Sequence, residues 1–346
     1  MSNVTISTIG QINNAGDDRA LMLKGFSGDL LISFRNALQF MPYVRVKELG
    51  PGKKSYQFPA IGQATASRHV RGEDVFDASN SYLDNVPHAE RIIHYDRPMV
   101  SATAVDDFEE FVNHYDVRAT YAEEMGQALG EKCEQDLLRV AILASRASAT
   151  VTGGPTSSPE TSFPATPTAG DIVDLCFDAA KQFDENNVPK MDRVVAITPE
   201  WYYTVIKGAP DNVQTTGGTA EVAHPGLREL GDVGNVSVAD GFIRRIAGIR
   251  LLPTNLLPNI DESATGTNLA ASDTGAYNSY YADYSTTAAV FWQKSAVGHI
   301  HGKGVGVQLE DTVRTMSTNL VSSYIKGTGI LRPECAIEVN TAASIP

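Results

Sequence analysis

Two histidines separated by one residue, His299 and His301, are the first candidates for chemistry in this chain. In a β-strand, residues two apart point to the same face, so both imidazoles would lie side by side. Zinc sites use three or four protein ligands, and no third ligand can be identified for this pair. We therefore interpret both histidines as strand residues, either exposed or hydrogen-bonded in a core, and predict no metal site and no cofactor.

The segment from Gly298 to Lys303 has a superficial likeness to a phosphate-binding loop. Its glycine spacing is one residue short, and Gly304 stands where a magnesium-binding Ser or Thr is required. The chain also lacks the GxSxG, HExxH and acidic calcium-loop patterns. Because no nucleophile and base can be assembled, the sequence predicts a protein that is not an enzyme.

Other side chains with reactive groups have structural explanations. Four carboxylates just before a predicted helix favour the positive end of its dipole. Aromatic clusters without interleaved cations are typical of core rather than of nucleic-acid stacking. The three distant cysteines fit no disulfide framework and indicate buried thiols in a reducing compartment. These residues are Asp106, Asp107, Glu109 and Glu110; Trp201, Tyr202, Tyr203, Tyr280, Tyr281 and Tyr284; and Cys133, Cys176 and Cys335.

The composition is that of a folded globular protein with an acidic balance. Hydrophobic residues make up 42% of the 346 residues and charged residues 20%, as expected for a chain that buries a core. The formal net charge is −13 and no Lys/Arg block occurs, so the surface is not built to hold nucleic acid tightly. The sequence contains no apolar run long enough to span a membrane and no secretory signal pattern.

A long helix is the dominant element of the sequence. From about Asp116 to Arg146 there is no proline, and apolar residues return at helical spacing. At 1.5 Å per residue, such a helix is roughly 45 Å long, whereas an ordinary helix has ~11–12 residues. That length is typical of a strut and indicates a protein whose role is shape rather than chemistry.

Residues 43–105 have the pattern of two strand-like arms with a charged segment, residues 68–77, between them. This arrangement predicts a long hairpin with a polar tip. A two-stranded hairpin with so little apolar surface is not stable alone. We therefore expect it to lie against something else, with a second copy of the chain as the favoured candidate.

The remaining chain alternates helices and strands with long polar loops, which predicts an α+β fold. Residues 1–17 are expected to form an arm or loose tail. We predict further helices at 18–41, at 171–185, from Pro199 onward and at 312–326. We predict strands at 193–197, 243–252 with a bend at Gly248, 288–292, 300–309 and 336–339. Loops are expected at about 150–170, 208–235 and 254–276.

Six short segments, taken in order, resemble the major capsid proteins of tailed phages, and most closely the short-tailed, autographivirus-type podophages. The string Asn-His-Tyr-Asp-Val-Arg at 113–118 is the most specific and resembles the start of that group's spine helix. The likeness spans most of the chain and fades at 150–170 and 208–276. The other segments lie at 21–29, 52–62, 187–189, 295–298 and 329–334.

The resemblance implies the tailed-phage major capsid fold, which is shared with encapsulin shells and the floor of herpesvirus capsids. It divides this α+β chain into five parts. These are an N-terminal arm and helix (1–42), an extended β-hairpin loop (43–108), a long spine helix with part of the peripheral domain (109–170), an axial domain (171–310) and a C-terminal return to the peripheral domain (311–346).

The resemblance also implies a structural subunit of an icosahedral head that self-assembles into hexamers and pentamers around double-stranded DNA. The implied partners are a scaffolding protein during assembly, a portal at one vertex and packaged DNA held by weak contact only. A decoration protein is left open. Because no scaffold-like domain precedes the arm, we expect a separate scaffolding protein. The implied location is the virion, after assembly in the host cytoplasm.

Some relatives of this fold form a Lys–Asn isopeptide cross-link from the extended loop. No lysine lies between Ser55 and Glu110 in this chain, so the loop body is not expected to form one. Lys53 and Lys54, at the base of the loop, are expected to make ion pairs instead.

At the tip of the loop, we predict that Arg68, Arg71, Glu73 and Asp74 form ion pairs between subunits. Exposed pairs of this kind set register more than they add stability. Two alternatives remain. An encapsulin-like non-viral shell is disfavoured by the podophage-like motifs, and a soluble enzyme or binding module is disfavoured by the lack of a nucleophile–base set.

Overall fold

The structure is a computed structural model in which three α-helices and fourteen strands lie within the described residues. The helices are α1 (Val117–Arg146), α2 (Ala169–Glu185) and α3 (Pro199–Gly208). The helix predicted at 18–41 and most of the loops predicted at 208–235 and 254–276 lie outside the described residues. The structure describes residues 38–50, 52–62, 64, 66–77, 82, 86–106, 117–208, 236–237, 242–243, 245–263, 280–312 and 314–341.

A six-stranded sheet lies in the main core, in the order β5-β14-β11-β6-β10-β9. Its central strands β6 and β11 are buried along their whole length, which agrees with the apolar runs predicted at 193–197 and 288–292. The strands are β5 (Glu160–Phe163), β6 (Arg193–Ile197), β9 (Arg245–Ile246), β10 (Ile249–Pro253), β11 (Thr287–Gln293) and β14 (Ala336–Thr341).

A four-stranded sheet joins distant parts of the chain in the order β1-β12-β13-β4. Strand β1 pairs in parallel with β12, which puts Arg45 opposite Gly298. Strand β13 pairs in antiparallel fashion with both β12 and β4. The strands are β1 (Arg45–Glu48), β4 (Met99–Asp106), β12 (Val297–Thr312) and β13 (Ser317–Ile330).

The inner part of the predicted hairpin is confirmed as β2 (Ser55–Ile61) paired with β3 (His88–His94) in an antiparallel register. The outer parts of the two predicted arms, β1 and β4, pair with β12 and β13 instead of with each other. It forms a separate two-stranded sheet. A second small sheet pairs β7 (Val236–Ser237) with β8 (Phe242–Ile243).

The predicted long helix is confirmed as α1, whose 30 residues pack against both large sheets. Its C-terminal half adds Leu137, Leu138 and Ile142 to the main core. Its N-terminal half places Ala122 and Met125 in a smaller cluster that includes side chains of β4 and β13. The apolar stripe thus makes α1 a strut that holds two cores together.

Three of the secondary-structure predictions were wrong. The helix predicted at 312–326 is strand β13, where alternate residues are buried from Thr318 to Lys326, a period of two rather than 3.6. The loop at 150–170 contains strand β5, which pairs with β14 mainly through its backbone. The bend at Gly248 is a turn that reverses the chain between β9 and β10, because Ala247 and Gly248 both have positive φ.

The base of the β2–β3 hairpin crosses the four-stranded sheet at unusually close range. A Cβ atom at Gly327 of β13 would lie 2.0 Å from the carbonyl oxygen of His94, and one at Gly302 of β12 would lie 2.7 Å from the Tyr95 ring. The glycines in these strands are therefore a platform for the hairpin. We call Gly298, Gly302, Gly327 and Gly329 the glycine platform.

Candidate functional site

The residues between β2 and β3 expose apolar side chains among charged ones. We call the described stretch 66–77 the hairpin tip. Phe76 is 78% exposed and Val70 57% exposed. Large apolar side chains grouped on a surface and rimmed by polar residues are typical of interaction sites.

The hairpin tip is ordered by hydrogen bonds around Tyr82. The Tyr82 hydroxyl donates to the Glu73 carboxylate and accepts a bond of 2.9 Å from the backbone amide of Val70. The His69 ring lies 5.5 Å from the Tyr82 ring, and its Nε2 lies 2.9 Å from the Glu73 carbonyl oxygen. The Glu73 hydrogen bond raises the pKa of the Tyr82 phenol. These bonds give the tip a defined shape.

The predicted contact residues fall into two groups. Arg68 and Arg71 are exposed, and neither makes an ion pair with a described residue. Glu73 and Asp74 serve the tip itself, since Glu73 binds Tyr82 and Asp74 accepts a 2.9 Å bond from the amide of Phe76. Within the described residues, Arg68 and Arg71 have no ion-pair partner, whereas Glu73 and Asp74 have partners inside the tip.

Lys53 and Lys54 are exposed just before β2 begins. The whole of β2 separates them from the hairpin tip, so the structure does not bring them together with the tip residues. No contact between subunits is present in the structure, and the role of all six charged residues in such contacts stays a prediction.

The histidine pair lies in the core and is satisfied by hydroxyl groups. His299 is fully buried, and its ring nitrogens lie 3.2 Å from the Thr328 hydroxyl and 3.1 Å from the Tyr324 hydroxyl. The same Tyr324 hydroxyl lies 3.0 Å from Nδ1 of His301. No group of three or more metal-ligating side chains occurs among the described residues.

Replacing His299 by glutamine is expected to reduce the acid sensitivity of folding. Burial and the charge of Lys326 lower the pKa of His299 from 6.5 to about 3. The unfolded chain therefore binds the proton more readily, and stability is lost as the pH falls from 6.5 towards 3, by up to about 1.4 kcal/mol per pH unit. We expect urea titrations of unassembled subunits to show a shallower slope for His299→Gln.

The matched control is His88→Gln, which changes the same residue type on β3, where the side chain is exposed. It should keep the wild-type slope below pH 6.5. The prediction is contradicted when His299→Gln and wild type lose free energy of unfolding at the same rate.

The structural interpretation of the other reactive side chains is largely confirmed. All three cysteines are buried, and burial raises the pKa of Cys133 and Cys176 to about 12. Trp201, Tyr202, Tyr280 and Tyr284 are core residues, whereas Tyr203 is 55% exposed and was wrongly predicted as core. Asp106 lies in strand β4, and the other three carboxylates lie outside the described residues.

A buried charged network, which the sequence did not reveal, ties α1 to β13. The Lys326 ammonium lies 2.7 Å from Asp136 Oδ2, and Arg139 Nη1 lies 3.1 Å from Asp136 Oδ1. Arg139 also makes a bidentate pair with Glu262 at 2.8 and 2.6 Å. The network lines a cleft of about 600 Å³. The sequence feature that could have indicated this network is the three-residue spacing of Asp136 and Arg139 on α1.

A second ion pair, between the partly exposed Arg146 and the buried Glu338, fixes the C-terminal end of α1. Arg146 binds both carboxylate oxygens of Glu338 at 2.6 and 2.5 Å, and Glu338 also accepts from the Thr287 hydroxyl. Such fork-to-fork pairs hold two elements in a fixed orientation. The strut is therefore fastened to β14 and β11 at its end and to β13 near its middle.

Residues 57–340 match the family model described as Gp10A-like major capsid protein. The chain belongs to this family of major capsid proteins. The capsid chain of cyanophage P-SCSP1u is similar in structure, with 30% identity, 99% of this chain and 100% of that chain covered, and a TM-score of 0.71.

Two curated capsid proteins are also similar to this subunit. The major capsid protein of Enterobacteria phage T3 is 24% identical over 94% of this chain and 93% of its own length. The major capsid protein of Escherichia phage T7 is 25% identical over 93% of this chain and 92% of its own length. The predicted podophage resemblance, fold and structural role are thereby confirmed.

The capsid subunit is thus a structural component of the phage virion. Membership of this family favours the phage capsid prediction over the encapsulin-like shell. No described helix of the subunit has the length and apolarity needed to cross a membrane.

Proposed function

We propose that this subunit assembles with copies of itself into hexamers and pentamers of an icosahedral head that encloses double-stranded DNA. The β2–β3 hairpin is the observation that supports this most directly. It forms a two-stranded sheet with exposed apolar side chains at its tip. The base of the hairpin rests on the subunit's own glycine platform, whereas the apolar side chains of the tip are left for another surface to cover.

The hairpin tip contacts a neighbouring copy in this proposal. Phe76 and Val70 supply the apolar contact, and Arg68 and Arg71 supply cations for carboxylates of the neighbour. Lys53 and Lys54 make ion pairs at the base of the hairpin, apart from the tip. Glu73 and Asp74 contribute mainly by keeping the tip in shape, since both already bind groups within it.

The division into parts is proposed with the boundaries expected from the sequence. Residues 1–42 form the arm and first helix, 43–108 the extended loop, 109–170 the spine helix with part of the peripheral domain, 171–310 the axial domain and 311–346 the return to the peripheral domain. The two separate large sheets support two structural units along α1.

The remaining partners follow from the proposed role. A separate scaffolding protein acts during assembly in the host cytoplasm, a portal occupies one vertex, and a decoration protein is an optional addition. The net charge of −13 supports weak contact with packaged DNA, because phosphate repels an acidic wall. No enzymatic role is proposed.

Replacing Phe76 by serine is expected to reduce assembly without unfolding the subunit. The side chain is 78% exposed, so the free energy of unfolding should change by less than about 0.5 kcal/mol. A loss of ~1.4 kcal/mol lowers the association constant of one contact about tenfold. Because the contact recurs at every copy, we expect the assembled fraction to fall by at least about that factor. Negative-stain microscopy of purified subunits, with and without the scaffolding protein, measures this.

The matched control is Met191→Ser, which removes an apolar side chain that is 77% exposed in a different part of the chain. Shells that form equally well from Phe76→Ser and wild type would refute the role of the tip. A wild-type subunit that stays monomeric under both conditions would refute the proposed assembly function as a whole.

A further inference from the structure

A buried carboxylate on α1 holds the backbone of the segment that precedes β1. Oε1 of Glu134 accepts hydrogen bonds from the backbone amides of Phe40 at 2.7 Å and Met41 at 3.3 Å. The amide of Gln39 also favours the ionised carboxylate. Successive backbone amides that converge on one anion form a concave binding site. Here that site is filled by a side chain of the strut.

The same segment is clamped from its other side by β11. The Phe40 ring is fully buried and lies 5.6 Å from the Trp292 ring in an edge arrangement. The Trp292 indole NH donates to the Tyr43 carbonyl oxygen at 3.0 Å. The short 3-10 helix Met41–Tyr43 therefore sits between Glu134 of α1 and Trp292 of β11. We call residues 39–43, with these contacts, the arm latch.

Holding a backbone segment with the carboxylate of Glu134 has a cost in free energy, because a charged group must be buried. The residue is fully buried, and no donor of the described residues reaches its second oxygen, Oε2. Two or three amides would be satisfied by a neutral acceptor, such as glutamine, without the cost of burying a charge. This burial raises the pKa of Glu134 from 4.5 to about 7, even though the amides of Phe40 and Met41 act to lower it.

We propose that Glu134 is a positioning residue for the N-terminal arm, and that its carboxylate holds the arm latch more tightly when protonated than when ionised. The proposal rests on the proposed function in one respect, namely that the N-terminal segment acts in assembly. It gives the subunit a latch whose strength depends on pH near neutrality.

The sign follows from proton linkage. When the latch opens, water reaches the carboxylate, and its pKa returns towards 4.5. The closed latch therefore binds the proton more tightly, and acid favours closure. With a closed-state pKa of about 7, the closing equilibrium should weaken about tenfold between pH 6 and pH 8 and change little above that.

The ionisable groups nearest the arm latch on α1 and β13 are Cys133, Asp136, Tyr324 and Lys326, and His301 of β12 lies 3.0 Å from the Tyr324 hydroxyl. The facing segment, residues 39–41, has no ionisable side chain. The neighbouring Cys133 on α1 stays neutral because burial raises its pKa to about 12. On β13, burial raises the pKa of Tyr324, which packs beside Cys133, and Lys326 is paired with Asp136.

The test is amide hydrogen exchange of full-length, unassembled subunits at pH 6 and pH 8, expressed as protection factors for the backbone amides of Gln39, Phe40, Met41 and Tyr43. We expect about tenfold greater protection at pH 6 in the wild type. Glu134→Gln should show no pH dependence, and Glu134→Ala should lose protection at both pH values. Glu131→Gln, one turn earlier on α1 and bound to Gln127 rather than to the arm, is the matched control.

Protection that is equal at pH 6 and pH 8 in the wild type overturns the proposal, as does a wild-type pH dependence that survives in Glu134→Gln. These two measurements decide the matter even when Glu134→Ala does not fold. Shell formation is scored in parallel. If shells form but protection of the arm latch does not depend on Glu134, only the latch proposal is refuted. If protection depends on pH through Glu134 but the subunits never assemble, only the assembly role is refuted.

Discussion

Replacing Asp136 by asparagine is expected to lower the free energy of unfolding by about 3–5 kcal/mol. Lys326 is 1% exposed, and its ammonium depends on Asp136 Oδ2 at 2.7 Å. Asparagine keeps the shape of the side chain but removes the charge, which leaves a buried cation without its carboxylate. Urea unfolding of unassembled subunits measures the loss.

A variant of the other residue in the pair, Lys326, distinguishes the cost of an unpaired buried charge from the loss of a contact. Lys326→Met removes the cation, while Asp136 keeps its 3.1 Å pair with Arg139. Replacing a buried charge with an apolar side chain of similar volume is often close to neutral, so we expect a loss below about 1.5 kcal/mol. Equal losses in Asp136→Asn and Lys326→Met would show that the ion pair is not what holds α1 to β13.

Replacing Gly327 by alanine is expected to destabilise the subunit by about 3 kcal/mol or more, since the added methyl group has no space. Its Cβ would lie 2.0 Å from the carbonyl oxygen of His94 and 3.0 Å from Ile300 Cγ1. A backbone oxygen cannot turn aside as a flexible side chain can, so the base of the hairpin must move away from β13.

Gly304→Ala is the matched control, because it adds the same methyl group to the neighbouring strand β12. The nearest atom there is His301 Nε2 at 3.8 Å, an ordinary contact, and the free energy of unfolding should change by less than about 0.5 kcal/mol. Thermal unfolding of the two variants compares them directly. A Gly327→Ala subunit as stable as Gly304→Ala would mean that the hairpin does not rest on this glycine.

Local patterns were sufficient to predict most elements of the fold. The apolar stripe of α1 repeats at helical spacing because one face of the helix is buried. The continuous apolar runs of β6 and β11 reflect strands that are buried on both faces. Strand β13 was wrongly predicted as a helix because its alternation runs through Ser and Thr, so buried Thr318 and Ser322 do not register as apolar. Its partners β12 and β4 lie far away in sequence, and no local pattern encodes such pairing.

The site was predictable only in outline. The charged character of the hairpin tip was visible in the sequence, but the exposure of Phe76 depends on a loop shape set by Tyr82. No local pattern explains the glycines of β12, whereas the structure shows that Gly302 admits the Tyr95 ring. The sequence did not indicate a role for Glu134, because no local pattern predicts that α1 contacts residues 39–41.

The strand order of the four-stranded sheet determines when, during synthesis, a subunit can complete its fold. Strands β1 and β4 are made early, but the strands that lie between them, β12 and β13, are among the last. Such distant pairing delays folding until the partner strands have emerged. A chain that terminates early would therefore lack the glycine platform on which its hairpin rests. We expect such incomplete copies not to enter the shell, because their hairpin has no support.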